Sequence, residues 1–331
     1  MKPISNEIYL KWYKDMSFWR KFEEKCRSLY LKQKISGFLH LYSGQEAIPA
    51  GITYVMDLKK DNMITGYRCH ILALAMGIDP KKVMAELFGK KTGTSCGLGG
   101  SMHIFSKKYR FYGGYGIVAG QIPLGAGIAF ADKYFNREAV TVTFMGDGAI
   151  WQGALHETFN MSMLLKLPVV YICENNKYAM GTSFQKSSCI QNIFQLGLSY
   201  NMPSKSVDGS SPLKIAKEVD KAIKRAKNGK GPTFLEILTY RYRGHSMSDP
   251  ESYRTRDEVI EQKKNDPILK IKNKILERKI LNKNLLKALD LELIKKIDEC
   301  VVFAENSDYP PQKTMYNVVY SQKKYPFLKE K

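Results

Sequence analysis

Two short segments carry the residue types that hold an anion together with a hard cation. Gly146-Asp147-Gly148-Ala149 comes just after Val140-Thr141-Val142-Thr143-Phe144, a run of strand-forming residues, and Glu174-Asn175-Asn176-Lys177-Tyr178 follows the apolar run 169–173. Asp147 and Asn176 are 29 residues apart. If the two runs are neighbouring parallel strands, both side-chain oxygens fall at one sheet edge. There they would hold a divalent cation, while N–H groups opening the next helix, near Gly148 and Ala149, face phosphate oxygens. The glycines would let a diphosphate touch backbone. A lone GDG is also a common tight turn; the order GDG, helix, strand, NN is what makes the signal specific.

The surrounding periodicity supplies the elements that must position these residues. Tyr9, Trp12, Tyr13, Met16, Trp19, Phe22, Cys26, Leu29 and Tyr30 recur at three- and four-residue steps, which predicts an amphipathic helix over 8–35 with an aromatic core stripe. Glycines crowd residues 89–127, around GTSCGLGGSMH and YGGYGIVAGQ, and predict a long irregular segment. A helix over 120–134, a strand 140–144, a turn 145–148 and a helix 149–165 follow. A strand 168–173, a loop 175–188, a helical stretch near Asn192, a short strand 206–207, a helix 213–228 and a strand 233–240 complete the alternation. Strands alternating with helices of this length predict an α/β fold, a parallel sheet with helices on both faces and a helical C-terminal region. Ligands in such sheets sit at the carboxyl ends of the strands. A single domain over 1–331 is expected, with an N-terminal helical segment (about 1–36) and a C-terminal helical extension (about 257–331).

Composition narrows the class. With 44% hydrophobic and 25% charged residues, the 331-residue chain is neither disordered nor fibrous. The six cysteines show no CxxC and no metal-ligand spacing, which points to reduced thiols rather than a disulfide framework. Residues 111–131 run without a charge, but their six glycines, a Gln and a Pro read as loop and close-packing positions, so no membrane insertion is expected. A net charge of +20 invites a nucleic-acid hypothesis. Its densest part, 263–287, spaces Ile268, Leu269, Ile271, Ile275, Leu276, Ile280 and Leu281 as wet amphipathic helices do, and no nucleic-acid partner is expected.

At this point the residues resemble a family. The pairing of GDG with NN is similar to the metal-diphosphate motif of thiamine-diphosphate enzymes. More narrowly, MGDGAIWQGALHETFNMSMLLKLPVVYICENNKYAMGTS resembles the alpha subunit of the first component (E1) of a 2-oxo acid dehydrogenase complex. The likeness runs from Phe22-Glu23-Glu24 through GFLHLYSGQEA, TGYRCH and GGSMHIF to TYRYRGHSMSDP and SYRTRDE, the last two looking specifically like pyruvate dehydrogenase E1 alpha. It implies a thiamine-diphosphate-binding fold, with Mg2+ held by Asp147, Asn176 and the main-chain carbonyl of Tyr178. It further implies diphosphate contacts from Tyr67, Arg68, Gly148 and Ala149, backbone contacts to the aminopyrimidine from Gly116 and Val118, and a further cofactor contact at Ser106, near which this chain has two extra residues. His40 and His245 match the family's two active-site histidines, His245 also at the cofactor. Cys69 and Ile71, flanking His70, depart from the animal form.

Taken singly, each histidine reads as a core or surface residue as readily as a catalyst. His245 sits in the polar run GHSMSDPESYRTRDE, which suits a plain surface loop or one that orders over a ligand, with Asp249 or Asp257 available to Arg254 and Arg256. In eukaryotic members serines of this loop are phosphorylated, and Ser246 matches such a position. The resemblance implies decarboxylation of pyruvate and reductive acetylation of the lipoyl domain of an E2 acetyltransferase. It also implies an E1 beta subunit that contributes a glutamate, an alpha2beta2 heterotetramer, and a chain inactive alone. E1 alpha of a branched-chain 2-oxo acid or acetoin dehydrogenase is the competing reading. A bacterial cytoplasm, or a mitochondrial matrix or plastid if organellar, fits the lack of a visible presequence.

Overall fold

A computed structural model describes residues 4–318. The strands are β1 (Asn62–Gly66), β2 (Phe111–Tyr115), β3 (Thr141–Gly146), β4 (Val169–Asn175), the two-residue β5 (Tyr178–Ala179) and β6 (Thr182–Ser183), β7 (Ser204–Asp208) and β8 (Thr233–Leu238). Around them lie helices α1 (Asn6–Leu31), α2 (Ala47–Val55), α3 (His70–Ala75), α4 (Pro80–Leu87), α5 (Gln121–Tyr134) and α6 (Gly153–Leu164). The single turns α7 (Phe184–Ser187) and α8 (Gln195–Leu198) precede α9 (Pro212–Lys227), α10 (Arg256–Lys263), α11 (Pro267–Glu277), α12 (Lys283–Glu305) and the short α13 (Thr314–Asn317). Six strands form one parallel sheet in the order β2-β1-β3-β4-β8-β7, and β5 and β6 pair antiparallel.

The central strands are buried on both faces, and side-chain alternation sorts them into two cores. Val142, Phe144, Val170, Ile172, Leu235 and Ile237 face the larger one, packed with the aromatic stripe of α1 and with α2, α3, α4 and α9. Met145, Val169, Tyr171, Cys173 and Phe234 face the smaller one, beneath α5 and α6. Helices α11 and α12 pack on α1 with Ile271, Ile275, Leu286 and Ile297 in the core, so the lysine-rich run turns most of its apolar positions inward, with Leu269 left exposed.

Several boundaries differ from expectation for local reasons. Helix α1 stops at Leu31 because Gln33 adopts φ 58° and the Lys34 N–H returns to the Leu29 carbonyl, closing the end. Strands β1 and β2 emerge from stretches with no strand signature: β1 is the polar NMITG, and β2 is FYGGY inside the glycine-rich segment. The uncharged stretch 111–131 is β2, a loop and the first part of α5, and no helix among the described residues is long and apolar enough to cross a membrane. Finally, α6 begins at Gly153 rather than at residue 149, because the Ala149 N–H bonds the Gly146 carbonyl in a turn and Gln152 is extended.

Candidate active site

The strand order reverses between β1 and β3, since the chain moves outward from β1 to β2 and then returns across β1 to β3 and onward to β4. Such a reversal opens a crevice at the carboxyl ends of the two strands. Here it is a cleft of 330 Å3, whose wall includes Tyr67 and Arg68 after β1, Val118 after β2, Asp147, Gly148 and Ala149 after β3, and Asn176 and Tyr178 after β4. Gly116 lies between Tyr115 and Ile117, both part of the wall. Strands β3 and β4 are parallel neighbours with Gly146 opposite Glu174, so the two motifs meet at one edge.

Asp147 is 3% exposed and its Oδ2 has no hydrogen-bond partner within the described residues. Burial raises its pKa to about 6, because the carboxylate has lost water without gaining a counter-ion in contact. Asn176 Oδ1 accepts only long contacts of 3.4 Å, from the Tyr178 N–H and from Arg241 Nη1. Arg241 Nη1 also donates to the Tyr178 carbonyl at 3.2 Å. Lys177, between Asn176 and Tyr178, adopts φ 75°. Gly148 leaves room that a Cβ would fill, 2.6 Å from the Ala179 Cβ. A carboxylate, an amide oxygen and a carbonyl oxygen along one cleft wall are the donor types that a hard cation of the Mg2+ kind takes. The Ala149 N–H is already bonded to the Gly146 carbonyl and α6 starts four residues later, so a turn and not a helix N-terminus lines the cleft here.

A second cluster borders the cleft. The His40 ring lies 4.6 Å from Tyr67 and 5.2 Å from His245, and His245 lies 5.5 Å from Tyr67. Each histidine has an unpaired, buried Nδ1. Burial and then the Arg68 charge lower the His40 pKa to about 2 and that of His245 to about 4, so both rings are neutral imidazoles at neutral pH. Arg68 joins the two histidine segments by donating to the carbonyls of Leu41 and His245, the latter at 3.0 Å.

The run 244–255 is an ordered loop. Asp249 Oδ2 accepts the His245 N–H at 2.6 Å and the Tyr253 hydroxyl at 2.8 Å, and Tyr253 in turn accepts from Arg241 Nη2 at 3.0 Å. Arg254 pairs with Glu251, not with Asp249 or Asp257, and donates to the Arg241 carbonyl at 2.6 Å. Ser246 and Ser248 lie outside this net, hydroxyl to hydroxyl at 2.9 Å.

Ser106 stands apart. It exchanges both backbone hydrogen bonds with Phe111 at the amino end of β2, whereas the cleft is at the carboxyl end. Three charged residues not singled out in the sequence do belong to the cleft or its supports. Arg241 lines the cleft, wholly buried. Glu174 also lines it, bonded by the Tyr42 hydroxyl, with its pKa raised to about 7 by burial. Glu86 accepts the N–H groups of Ser95, Gly97, Gly99 and Gly100 and so shapes the glycine-rich loop. The signal for Arg241 was its place directly after the predicted strand 233–240, at the same sheet edge; no local pattern marks Glu86.

This cleft at a switch point, with its metal-type donor set and flanking histidines, is matched by a family: the chain belongs to the dehydrogenase E1 component family, whose model covers residues 14–313. Members are thiamine-diphosphate-dependent dehydrogenases. The chain is 44% identical over 319 residues to the pyruvate dehydrogenase E1 component subunit alpha of Rickettsia bellii (strain RML369-C), covering 96% of this chain and 97% of that one. It is 44% identical over 314 residues to the like-named subunit of Rhizobium meliloti (strain 1021), covering 95% and 90%. To subunit alpha-3, chloroplastic, of Oryza sativa subsp. japonica it is 38% identical over 330 residues, covering 97% and 77%.

Proposed function

We propose that this chain is the alpha subunit of a pyruvate dehydrogenase E1 component, catalysing with a beta subunit the thiamine-diphosphate-dependent oxidative decarboxylation of pyruvate and the reductive acetylation of an E2 lipoyl domain. The observation that carries the reading is the unpaired, buried Oδ2 of Asp147, sharing one cleft wall with Asn176 and Tyr178. Asp147, Asn176 and the Tyr178 carbonyl would hold Mg2+. Tyr67, Arg68 and Gly148 would meet the diphosphate, Ala149 would pack beside it, and Gly116 and Val118 would offer backbone to the aminopyrimidine. Ser106 is left without a supporting contact.

When bound, thiamine diphosphate supplies the nucleophilic carbon and the electron sink for decarboxylation. The chain's own residues position and proton-balance that chemistry. Arg68 brings a fixed, always-charged fork beside the anion. His40 and His245, neutral and with free Nδ1 atoms, are placed to hold or release a proton at those atoms.

An apolar strip supports the partner. Leu124, Phe130, Tyr134, Phe135 and Leu164 are exposed on α5, α6 and the turn after α5, Tyr134 stacking near Phe130 and meeting Phe135 edge-on. Large apolar side chains exposed together on neighbouring helices suit a protein interface, and we assign them to the alpha2beta2 assembly. The whole of 1–331 acts as one unit in this reading, in a bacterial cytoplasm, or in a mitochondrial matrix or plastid if the chain is organellar.

The test is turnover of pyruvate, 2-oxoisovalerate and acetoin by the chain co-expressed with its beta subunit, with and without thiamine diphosphate and Mg2+. Pyruvate preference that disappears in Asp147→Ala supports the reading. Preference for the branched acid or acetoin moves the chain to another E1 alpha.

A further inference from the structure

The segment Leu39-His40-Leu41-Tyr42 belongs to no helix or strand, yet its backbone polar groups are held. The His40 N–H donates to Ser101 Oγ at 3.2 Å and the Tyr42 N–H to Glu23 Oε2 at 2.7 Å. On the carbonyl side, Leu41 accepts from Arg68, and Leu39 accepts the Met247 N–H at 2.9 Å.

His70 ties the first two acceptors together. Its Nδ1 is 2.8 Å from Glu23 Oε1 and its Nε2 is 2.8 Å from Ser101 Oγ. The His70 and Glu23 side chains are both 0% exposed. A carboxylate only accepts, so the Nδ1 proton points at Glu23. Whichever partner then carries the proton between Nε2 and Oγ, the hydroxyl keeps a lone pair for the His40 N–H. Cys69, next to His70, donates its thiol to the Ser101 carbonyl at 3.3 Å, so that serine is fixed at both ends.

A buried polar chain of this kind costs desolvation and has one satisfied geometry, so it specifies position more than it adds stability. Its three members come from α1, the start of α3 and the glycine-rich loop, and nothing in the cleft chemistry above employs them. We propose that the Glu23–His70–Ser101 chain is a positioning device that fixes the backbone of His40, and through it the imidazole that meets Tyr67 and His245. The inference rests on the assignment of His40 to the reaction.

The experiment uses the alpha and beta subunits assembled with thiamine diphosphate and Mg2+. Ser101→Ala removes one hydroxyl from a small side chain, and Ser101→Thr keeps it. Ser101→Ala is expected to lower kcat by about tenfold, the scale of one lost buried hydrogen bond, with KM for thiamine diphosphate unchanged and Ser101→Thr recovering most of the loss. In a His40→Ala background the same Ser101→Ala change is expected to have no further effect, whereas a merely structural role would multiply. Hydrogen exchange supplies a readout independent of turnover: the His40 and Tyr42 amides should exchange faster in Ser101→Ala, with or without cofactor. Unchanged exchange, or losses that multiply in the double variant, would overturn the proposal. Full turnover by His40→Ala would remove the role of His40 and the proposal with it. An assembly inactive on every 2-oxo acid would count against the functional reading alone, the exchange arm still deciding whether Ser101 holds the segment.

Discussion

Arg241 Nη1 lies 3.2 Å from the Tyr178 carbonyl, while Nη2 of the same guanidinium lies 3.0 Å from the Tyr253 hydroxyl. One buried side chain therefore spans the donor set after β4 and the loop that carries His245. A lysine has neither the fork nor the reach to serve both. Arg241→Lys is expected to raise KM for thiamine diphosphate by about tenfold, the cost of one charge-assisted hydrogen bond, and to speed proteolysis of 244–255; cofactor titration and limited proteolysis of the assembled enzyme check both.

Asp147 exchanges stability for binding. Its folded-state pKa of about 6 lies above the usual carboxylate value of 3.8, so the folded chain holds a proton that the unfolded chain has lost. Stability from this group is full below about pH 4 and is lost as pH rises through 6. Asp147→Asn should stabilise the cofactor-free chain at pH 8 by on the order of 2 kcal/mol and abolish its response to Mg2+ and thiamine diphosphate. Thermal melts of both proteins, with and without ligands, report the two effects together; destabilisation at pH 8 would contradict this account.

The histidine pair has the opposite sign. His40 and His245 have folded-state values of about 2 and 4 against 6.5, so below pH 6.5 the unfolded chain takes up protons that the folded chain refuses. Their contribution is present above pH 6.5 and is lost as pH falls toward 4. Asp147 and Glu174 pull the other way over part of that range, so the wild-type profile is flattened. The comparison that isolates the effect is His245→Asn against wild type by denaturant unfolding. Acid should cost the variant less, with the gap closing above pH 6.5.

Lys177 occupies a left-handed conformation, φ 75°, between two cleft residues. Lys177→Gly should be tolerated, whereas Lys177→Val should cost about 1–2 kcal/mol, because a branched Cβ clashes there. Equal melting temperatures for Gly and Val variants would show that the kink is not under steric control.

Glu86 is the sole side chain receiving the N–H groups of Ser95, Gly97, Gly99 and Gly100 among the described hydrogen bonds. Glu86→Gln presents an NH2 to at least one of these donors. A loss of about 3 kcal/mol and faster hydrogen exchange confined to 93–100 are expected, measurable by mass spectrometry.

Much of the cleft was legible because its pieces are punctuated locally. Residues 140–144 and 169–173 are β-branched and apolar runs closed by GDG and ENN, and their adjacency, a condition in the sequence, is met by the β3–β4 pairing. Strands β1 and β2 were not legible, since Asn62, Thr65 and the glycines of FYGGY are buried by neighbours distant in sequence. The start of α6 was misplaced by four residues because a turn that bonds Ala149 to Gly146 resembles a helix opening. Arg241 and Glu86 act through partners far along the chain or through loop backbone, and no spacing announces such contacts. The Lys263–Lys287 charge run reads largely correctly because helical periodicity depends only on its own residues, although Leu269 stays exposed.

The parallel sheet also divides the molecule into an edge that works and an edge that does not. Every segment reaching the cleft leaves a carboxyl end, whereas the turn at Asn228–Lys230, exposed and leading into the amino end of β8, touches none of them. A fluorescent label or affinity handle inserted there would ride on the chain without reaching the cleft.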